Sequence, residues 1–292
     1  MMRRNLAARL NALASKRIDA GEFSQGERLY TWSARLDPRW SVPWYNLGLH
    51  AKNRGRWRES LHYNRRALEL DPKDEGSLWN LGIAATALHE WEEARRAWRA
   101  YGINIYDGAG EIEMAAVTAC VRLDPRGRGE VVWGQRLDPA RIIVFNVPLP
   151  DSRHRFRDVI LNDGAANGTR LKGGQEFPVF DELEIWKVSE YSTFRVKLQV
   201  PDELAENRLA ELCDLRQLGI EDWSTIRFIC AECSRGNPKT HECQSKPLED
   251  GARVFGFGAK KKEDPEHVLE EWLESCAGNA GPIELLFSAS TQ

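Results

Sequence analysis

LDPRWSVPWYNLG at Leu36 to Gly48 and LDPKDEGSLWNLG at Leu70 to Gly82 are the stretches that decide the fold of the first third of the chain. The Leu-Asp-Pro marker recurs at 34 residues, and so does the glycine, so two independent markers share one period. Periods of roughly 20 to 50 residues signal stacked supersecondary units. Shifting back by one period puts Leu10, Leu13 and Ala14 where the later units have Trp44, Leu47 and Gly48, which predicts a third, degenerate unit over residues 7 to 40. Each unit reads as two helices. Trp57 and Trp91 open the second helix after turns at Gly55 and His89, and Phe23 follows Gly21 in the same way.

These residues resemble the tetratricopeptide family over about residues 7 to 102. The resemblance implies that Gly48 and Gly82 let paired helices approach closely and that Pro38 and Pro72 end a unit. Departures are Ala14 in place of the glycine, Gly26 where alanine is usual, Asn64 where an aromatic is usual, and a third unit that runs into Gly102-Ile103-Asn104 without a closing Asp-Pro. Terminal repeats cap a stack and are expected to be atypical.

In this family the first helix of each unit lines a concave groove, which implies a lining of Asn11, Ser15, Tyr45, Leu49, Lys52, Asn53, Trp79, Ile83 and Thr86. Some members grip a terminal carboxylate with paired Lys and Asn. Here Tyr45, Leu49, Trp79 and Ile83 stand at the matching places, so no carboxylate clamp is expected. The expected occupant is a protein or peptide segment, either a separate partner or the chain's own C-terminal half, because exposed apolar patches mark contacts.

Composition bounds the rest. A length of 292 residues accommodates two or more domains, and 42% hydrophobic with 29% charged residues is globular composition. Charge is uneven: residues 1 to 108 carry +5, residues 109 to 190 carry −2 and residues 191 to 292 carry −6. The last segment has the wrong sign for phosphate binding. No apolar run reaches a membrane span and no signal core follows Met1 to Leu10, so a soluble, cytoplasmic protein is expected. Six cysteines, three of them within Cys230 to Cys243, do not form the spread framework of a secreted disulfide scaffold.

Glu111 to Val121 is apolar-periodic and predicts a closing helix, with a boundary at the Asp124-Pro125-Arg126-Gly127 break. This places the repeat array with its capping helix at residues 1 to 124. A small β-rich module is expected over 125 to 190, with strands at Val131 to Trp133, Ile142 to Val147, Phe156 to Leu161 and Leu183 to Val188. Turn chemistry at Asp163-Gly164, Asn167-Gly168 and Gly173-Gly174 separates them. From 191 to 292 the pattern runs strand (Phe194 to Val200), helix (from Asp202 to Gly219), strand (Ile226 to Cys230), strand (Arg253 to Ala259), helix (from Asp264-Pro265) and strand (Ile283 to Phe287). That β-α-β-β-α-β order is that of a ferredoxin-like unit, a fold that implies no particular function. The expected class is therefore a helical array followed by an α+β part.

Cys230-x-x-Cys233 followed by His241 and Cys243 supplies four ligands within 14 residues, enough for a closed tetrahedral Cys3His structural zinc site. The alternative is a buried Cys230 with ordinary loop thiols, and a redox pair lacks a thioredoxin-like setting. Other chemistry is thin. No His is followed two places on by Glu as in zinc deaminases, Glu93 replaces the second His after His89-Glu90, and Gly256 to Lys260 lacks phosphate-loop spacing. His154 reads as a surface residue, and Asp181, Glu182 and Glu184 as a solvated acidic turn. No catalytic residue is assigned. The leading expectation is an adaptor that binds a protein segment. The alternatives are an enzyme or ligand-binding unit in the second half, and RNA binding through Phe255 and Phe257, for which both rings must be exposed.

Overall fold

The computed structural model describes residues 2–127, 129–224 and 252–289. Contacts divide the chain into two compact units. One comprises residues up to Met114 with Asp138–Ala140, the other Ala115–Leu137 with the residues from Arg141 onward.

The first unit is three antiparallel helix pairs: α1 (Met2–Asp19) with α2 (Phe23–Leu36), α3 (Ser41–Lys52) with α4 (Trp57–Leu70), and α5 (Glu75–Ala87) with α6 (Trp91–Tyr101). The turn within each pair falls at the same place in the period. Gly21, Gly55 and His89 all have positive φ, at 79°, 65° and 59°, so the third unit pays a steric cost that glycine avoids in the other two. Close approach is the second shared device. A Cβ at Gly48 would lie 2.5 Å from Asn64, and one at Gly82 would lie 2.5 Å from Trp98. In the first unit the small residues change sides, and it is Gly26 on α2 that admits Ile18 of α1, where a Cβ would come within 2.6 Å. Asn64 fills the usual aromatic position as a buried amide. Its Nδ2 donates to the Ser60 carbonyl at 2.8 Å, while Ser60 Oγ donates to the Gly48 carbonyl at 3.0 Å.

The predicted closing helix is absent. Residues 103–116 are extended or irregular, and Val117–Leu123 is a strand, β1. Valines 117 and 121 and Thr118 favour a pleated surface. The apolar spacing there serves a strand with Ala119, Val121 and Leu123 in a core. The boundary consequently falls at Met114/Ala115 and not at the Asp124 break. Arginines on α6 close the array instead of a helix. Arg95 donates to the carbonyls of Tyr106 (3.2 Å) and Glu111 (3.1 Å), and Arg99 donates to that of Ile105 (2.8 Å), which seats Ile105 and Ile112 in the interior.

The second unit begins with a closed five-stranded barrel: β1, β2 (Glu130–Asp138), β3 (Arg141–Val144), β4 (Val159–Lys172) and β5 (Gln175–Lys187). β1 pairs antiparallel with β2 and parallel with β5, Cys120 opposite Val179. An up-and-down chain of five strands leaves its first and last strands pointing the same way, so closure requires this parallel pair. Asp163-Gly164 and Asn167-Gly168 are not turns. They lie within β4, where its register against β5 shifts, and the hairpin turns at Gly173-Gly174 with φ of 58° and 80°.

A second sheet follows from β6 (Ser192–Gln199), α7 (Glu203–Leu215), β7 (Gly219–Asp222), β8 (Arg253–Ala259), α8 (Glu263–Ser275), β9 (Asn279–Ala280) and β10 (Glu284–Phe287). The strand order is β10-β6-β8-β7, with β9 beside β6. The expected strand at Ile226 to Cys230 lies outside the described residues, and β7 precedes it. Asp202 caps α7 by accepting from the Ala205 N–H at 2.8 Å. Phe194, Val196, Leu198, Phe255 and Phe257 meet Leu209, Leu212, Val268, Leu269 and Trp272 in one core.

Phe255 and Phe257 are therefore core residues, 2% and 1% exposed, which corrects the expectation that their rings could stack on RNA. Gly256 and Gly258, which alternate with them, serve the other sheet face. Phe156, from the barrel's β3–β4 connection, packs on Gly219 and Gly258, and Trp223 lies over Gly256 and donates its Nε1–H to the Val147 carbonyl at 2.9 Å. A Cβ at Gly258 would lie 2.5 Å from the Phe156 Cβ. Gly258→Ala is expected to destabilise the protein by about 1 to 3 kcal/mol, measurable as a lower urea midpoint with an unchanged slope.

Candidate functional site

The groove residues separate into an accessible set and a closed set. On α1, Asn11 is half-buried and its Oδ1 accepts from Asn46 Nδ2 at 3.0 Å, while the Ser15 and Tyr30 hydroxyls meet at 2.9 Å. On α3, Tyr45 and Leu49 are half-buried and Asn53 is exposed. The Tyr45 ring rests on Gly76 at the start of the next pair, where a Cβ would come within 2.7 Å.

The third unit is different. Ile83 is 0% exposed, Thr86 is buried, and so is Lys52 at the end of α3. Trp79 turns toward α6, with its ring centroid 5.1 Å from that of Trp98 and 4.8 Å from that of Tyr101, both edge-on. The large Trp98 ring seated on Gly82 creates this aromatic cluster. Of the implied lining, Ile83, Thr86 and Lys52 are closed, while Asn11, Ser15, Tyr45, Leu49 and Trp79 are half-buried and Asn53 is exposed.

Elsewhere on the array a cavity of about 390 Å³ has walls of Leu68, Pro72, Leu78, Leu81, Ala97 and Ala100. The arginines at this cavity are already partnered. Arg65 pairs with Glu90 and Glu93 at 2.8 and 2.9 Å, and Arg96 with Glu93 at 2.5 Å. A ligand carboxylate would have to compete with those pairs.

His154 and the acidic 181–184 segment, far apart in sequence, are brought together. His154 is buried, and its Nε2 lies 2.7 Å from Glu182 Oε1. Asp181 accepts from Arg122, itself buried, and from Asn167 Nδ2 at 2.7 Å. Neither the surface histidine nor the solvated acidic turn expected from sequence is found, because both segments become barrel structure: the 181–184 carboxylates belong to β5 and His154 to the β3–β4 connection. Asp158 is also buried there, accepting from the N–H groups of Arg155 and Ser189 at 2.8 and 2.7 Å. Glu130 on β2 accepts from the Leu149 N–H, and burial pushes its carboxyl up to about 7. No sequence signal marks Glu130, because its partners come from the β3–β4 connection (Leu149, Ser152 and His154) and from β7 (Glu221), far from it in sequence.

Cys230, Cys233, His241 and Cys243 lie outside the described residues. Among the described residues no group of three or more His, Cys, Asp or Glu side chains is placed to hold a metal ion. Two described cysteines, Cys120 and Cys213, are buried, and burial pushes their thiols up to about 11 and 12, which makes them unreactive packing residues. No helix among the described residues is long and apolar enough to cross a membrane.

No protein-family model matches the chain. No curated protein matches it either. Among solved structures the chain is similar to tetratricopeptide domains. The second such domain of Spaghetti (RPAP3), bound to the HSP90 peptide SRMEEVD, is 16% identical over 34% of this chain and 85% of that one, with a TM-score of 0.32. The first domain of the same protein, with the same peptide, is 20% identical over 33% and 77%, with a TM-score of 0.32. The Arabidopsis OM64 domain is 13% identical over 34% and 82%, also at 0.32. The 34-residue helix-pair period and the glycine contacts of Gly48 and Gly82 make the N-terminal unit a tetratricopeptide-type array.

Trp79→Ala would open a void between α5 and α6, and is expected to cost about 2 to 4 kcal/mol, read as a lower thermal midpoint, with the loss of edge-on aromatic signals in near-ultraviolet circular dichroism.

Proposed function

We propose that this protein is an adaptor whose tetratricopeptide-type array holds a segment of another polypeptide along Asn11, Tyr45, Leu49 and Asn53. The observation that carries this reading is the contrast within one face, closed at Lys52, Ile83 and Thr86 but accessible at Asn11, Tyr45, Leu49 and Trp79, which are half-buried, and at the exposed Asn53. Paired amides at Asn11 and Asn46 can bond a peptide backbone, while Tyr45 and Leu49 offer apolar area. The RPAP3 structures hold a peptide ending in a carboxylate. This chain has Tyr45 and Leu49 where a clamp would need Lys and Asn, so a ligand recognised by apolar side chains fits better. The chain's own C-terminal half is the competing occupant, and a cytoplasmic setting belongs to the same reading.

Loss of partner capture in Leu49→Glu with Asn11→Ala, at an unchanged unfolding midpoint, is the expected result of comparing affinity purifications from native lysate. Undiminished recovery of the same partners would count against the groove.

The β-α-β-β-α-β order with strands arranged β10-β6-β8-β7 supports reading residues from 192 onward as a ferredoxin-like unit. For the segment between β7 and β8 the reading is a structural zinc held by Cys230, Cys233, His241 and Cys243. Three thiolates and one imidazole form a donor set that suits a closed tetrahedral ion. Zinc would fix the segment's fold, with no open position for catalysis. Elemental analysis of purified protein is expected to give about one zinc per chain, lost in both Cys233→Ser and His241→Ala; metal-free, folded wild type would end this reading.

A further inference from the structure

The connection from Phe145 to Asp158 runs along the seam between the barrel and the second sheet, and its anchors are ionisable. His154 Nδ1 lies 2.7 Å from the Ser152 carbonyl and Nε2 lies 2.7 Å from Glu182 Oε1. Both neighbours are acceptors when Glu182 is ionised, yet a neutral imidazole has one N–H to give. The pair therefore needs an extra proton, on the ring or on the carboxyl, to keep both bonds. Glu130 takes the Leu149 N–H at 3.1 Å on each oxygen. Glu221 on β7 takes Asn146 Nδ2 at 2.5 Å, and Asn146 Oδ1 takes the Trp133 N–H at 2.5 Å. The connection is also strained: Arg153 and Arg157 sit in the left-handed region at φ of 61° and 70°.

We infer that the His154–Glu182 pair forms a proton-held latch, which keeps residues 145–158 on β5 while both ring bonds carry a proton and loosens them when the extra proton leaves. Release would loosen Phe156 from Gly219 and Gly258 and so slacken the barrel against the sheet.

The charges facing each group agree in direction. Around His154 stand Glu182 of β5, Asp158 of its own connection and Glu130 of β2. Burial opposes the imidazolium, but the Glu182 hydrogen bond and charge outweigh it and raise the pKa. Around Glu130 stand His154 and Glu221, and burial dominates. Glu221 faces Asp222 and, as its one opposing charge among the groups named, Arg170 of β4. Asp158 faces His154 and Arg155. Both carboxyls are raised by burial. All four groups hold protons more tightly folded than unfolded. The seam is therefore fully stabilised at acidic pH and weakens as pH climbs, for Glu130 from its unfolded value of 4.5 through about 7, and for His154 through a value above 6.5.

Hydrogen exchange of the full chain, read for residues 145–158 against α3 and α4 after correction for intrinsic rates, tests the latch alongside an NMR titration of the His154 ring. Expected is a His154 midpoint above 6.5. Protection of the connection should fall roughly tenfold between pH 6 and 8.5 while α3 and α4 hold steady. In Glu182→Gln the amide can face a neutral ring as donor, so the midpoint should drop and the pH response of the connection should disappear. A connection whose protection ignores pH in the wild type, or a folded Glu182→Gln variant that keeps the wild-type response, would overturn the inference. Should the variant not fold, coincidence of the ring and exchange midpoints in the wild type still decides it.

Discussion

Large side chains seated on bare glycine backbone hold this structure together at its joints. Trp98 needs Gly82, Asn64 needs Gly48, and Ile18 needs Gly26; without those gaps the helix pairs could not approach. The same device joins the barrel to the second sheet, where Phe156 lies on Gly219 and Gly258. Close packing tolerates little volume change, so each contact fixes the spacing of the elements it joins. The array's accessible face and the seam's buried charges both depend on it.

The array itself is not uniform. Repeats of one period produce surfaces of different character because only some positions of the period are constrained. Gly48 and Gly82 are equivalent, yet one faces an amide and the other an indole. The indole draws Trp79 and Tyr101 into an aromatic cluster, and α5 becomes almost wholly buried. On the groove face Asn11 and Leu49 of the first two pairs stay half-buried and Asn53 exposed, while Ile83 and Thr86 of the third are closed.

The seam carries an unusual concentration of acid. Glu130, Asp158 and Glu182 gather around one histidine, with Glu221 beside Glu130 and backbone N–H groups supplying much of the compensation for Glu130 and Asp158. Burying a carboxyl without a full partner costs several kcal/mol or drives protonation. Burial shifts Glu130, Asp158 and Glu221 toward their protonated forms, against the N–H donors that favour charge.

Local signals were legible along the chain. The 34-residue period gave three helix pairs with their turns at residues 21, 55 and 89, and alternation gave β6, β8 and the approximate place of the barrel strands. These are properties of neighbours in sequence, where sterics and periodicity act. Val117–Leu123 was misread as helix because its small and branched apolar residues suit either spacing, and only pairing with β2 and β5 settles it. The RNA-binding reading of Phe255 and Phe257 dissolved for a related reason: which face of β8 meets the helices depends on the partner strands, and it buries both rings. The meeting of His154 with Glu182, and of Asn146 with Glu221, had no trace in sequence. Those contacts span 28 and more residues and exist only because barrel closure and the seam bring four segments to one place, where desolvation sets their charge.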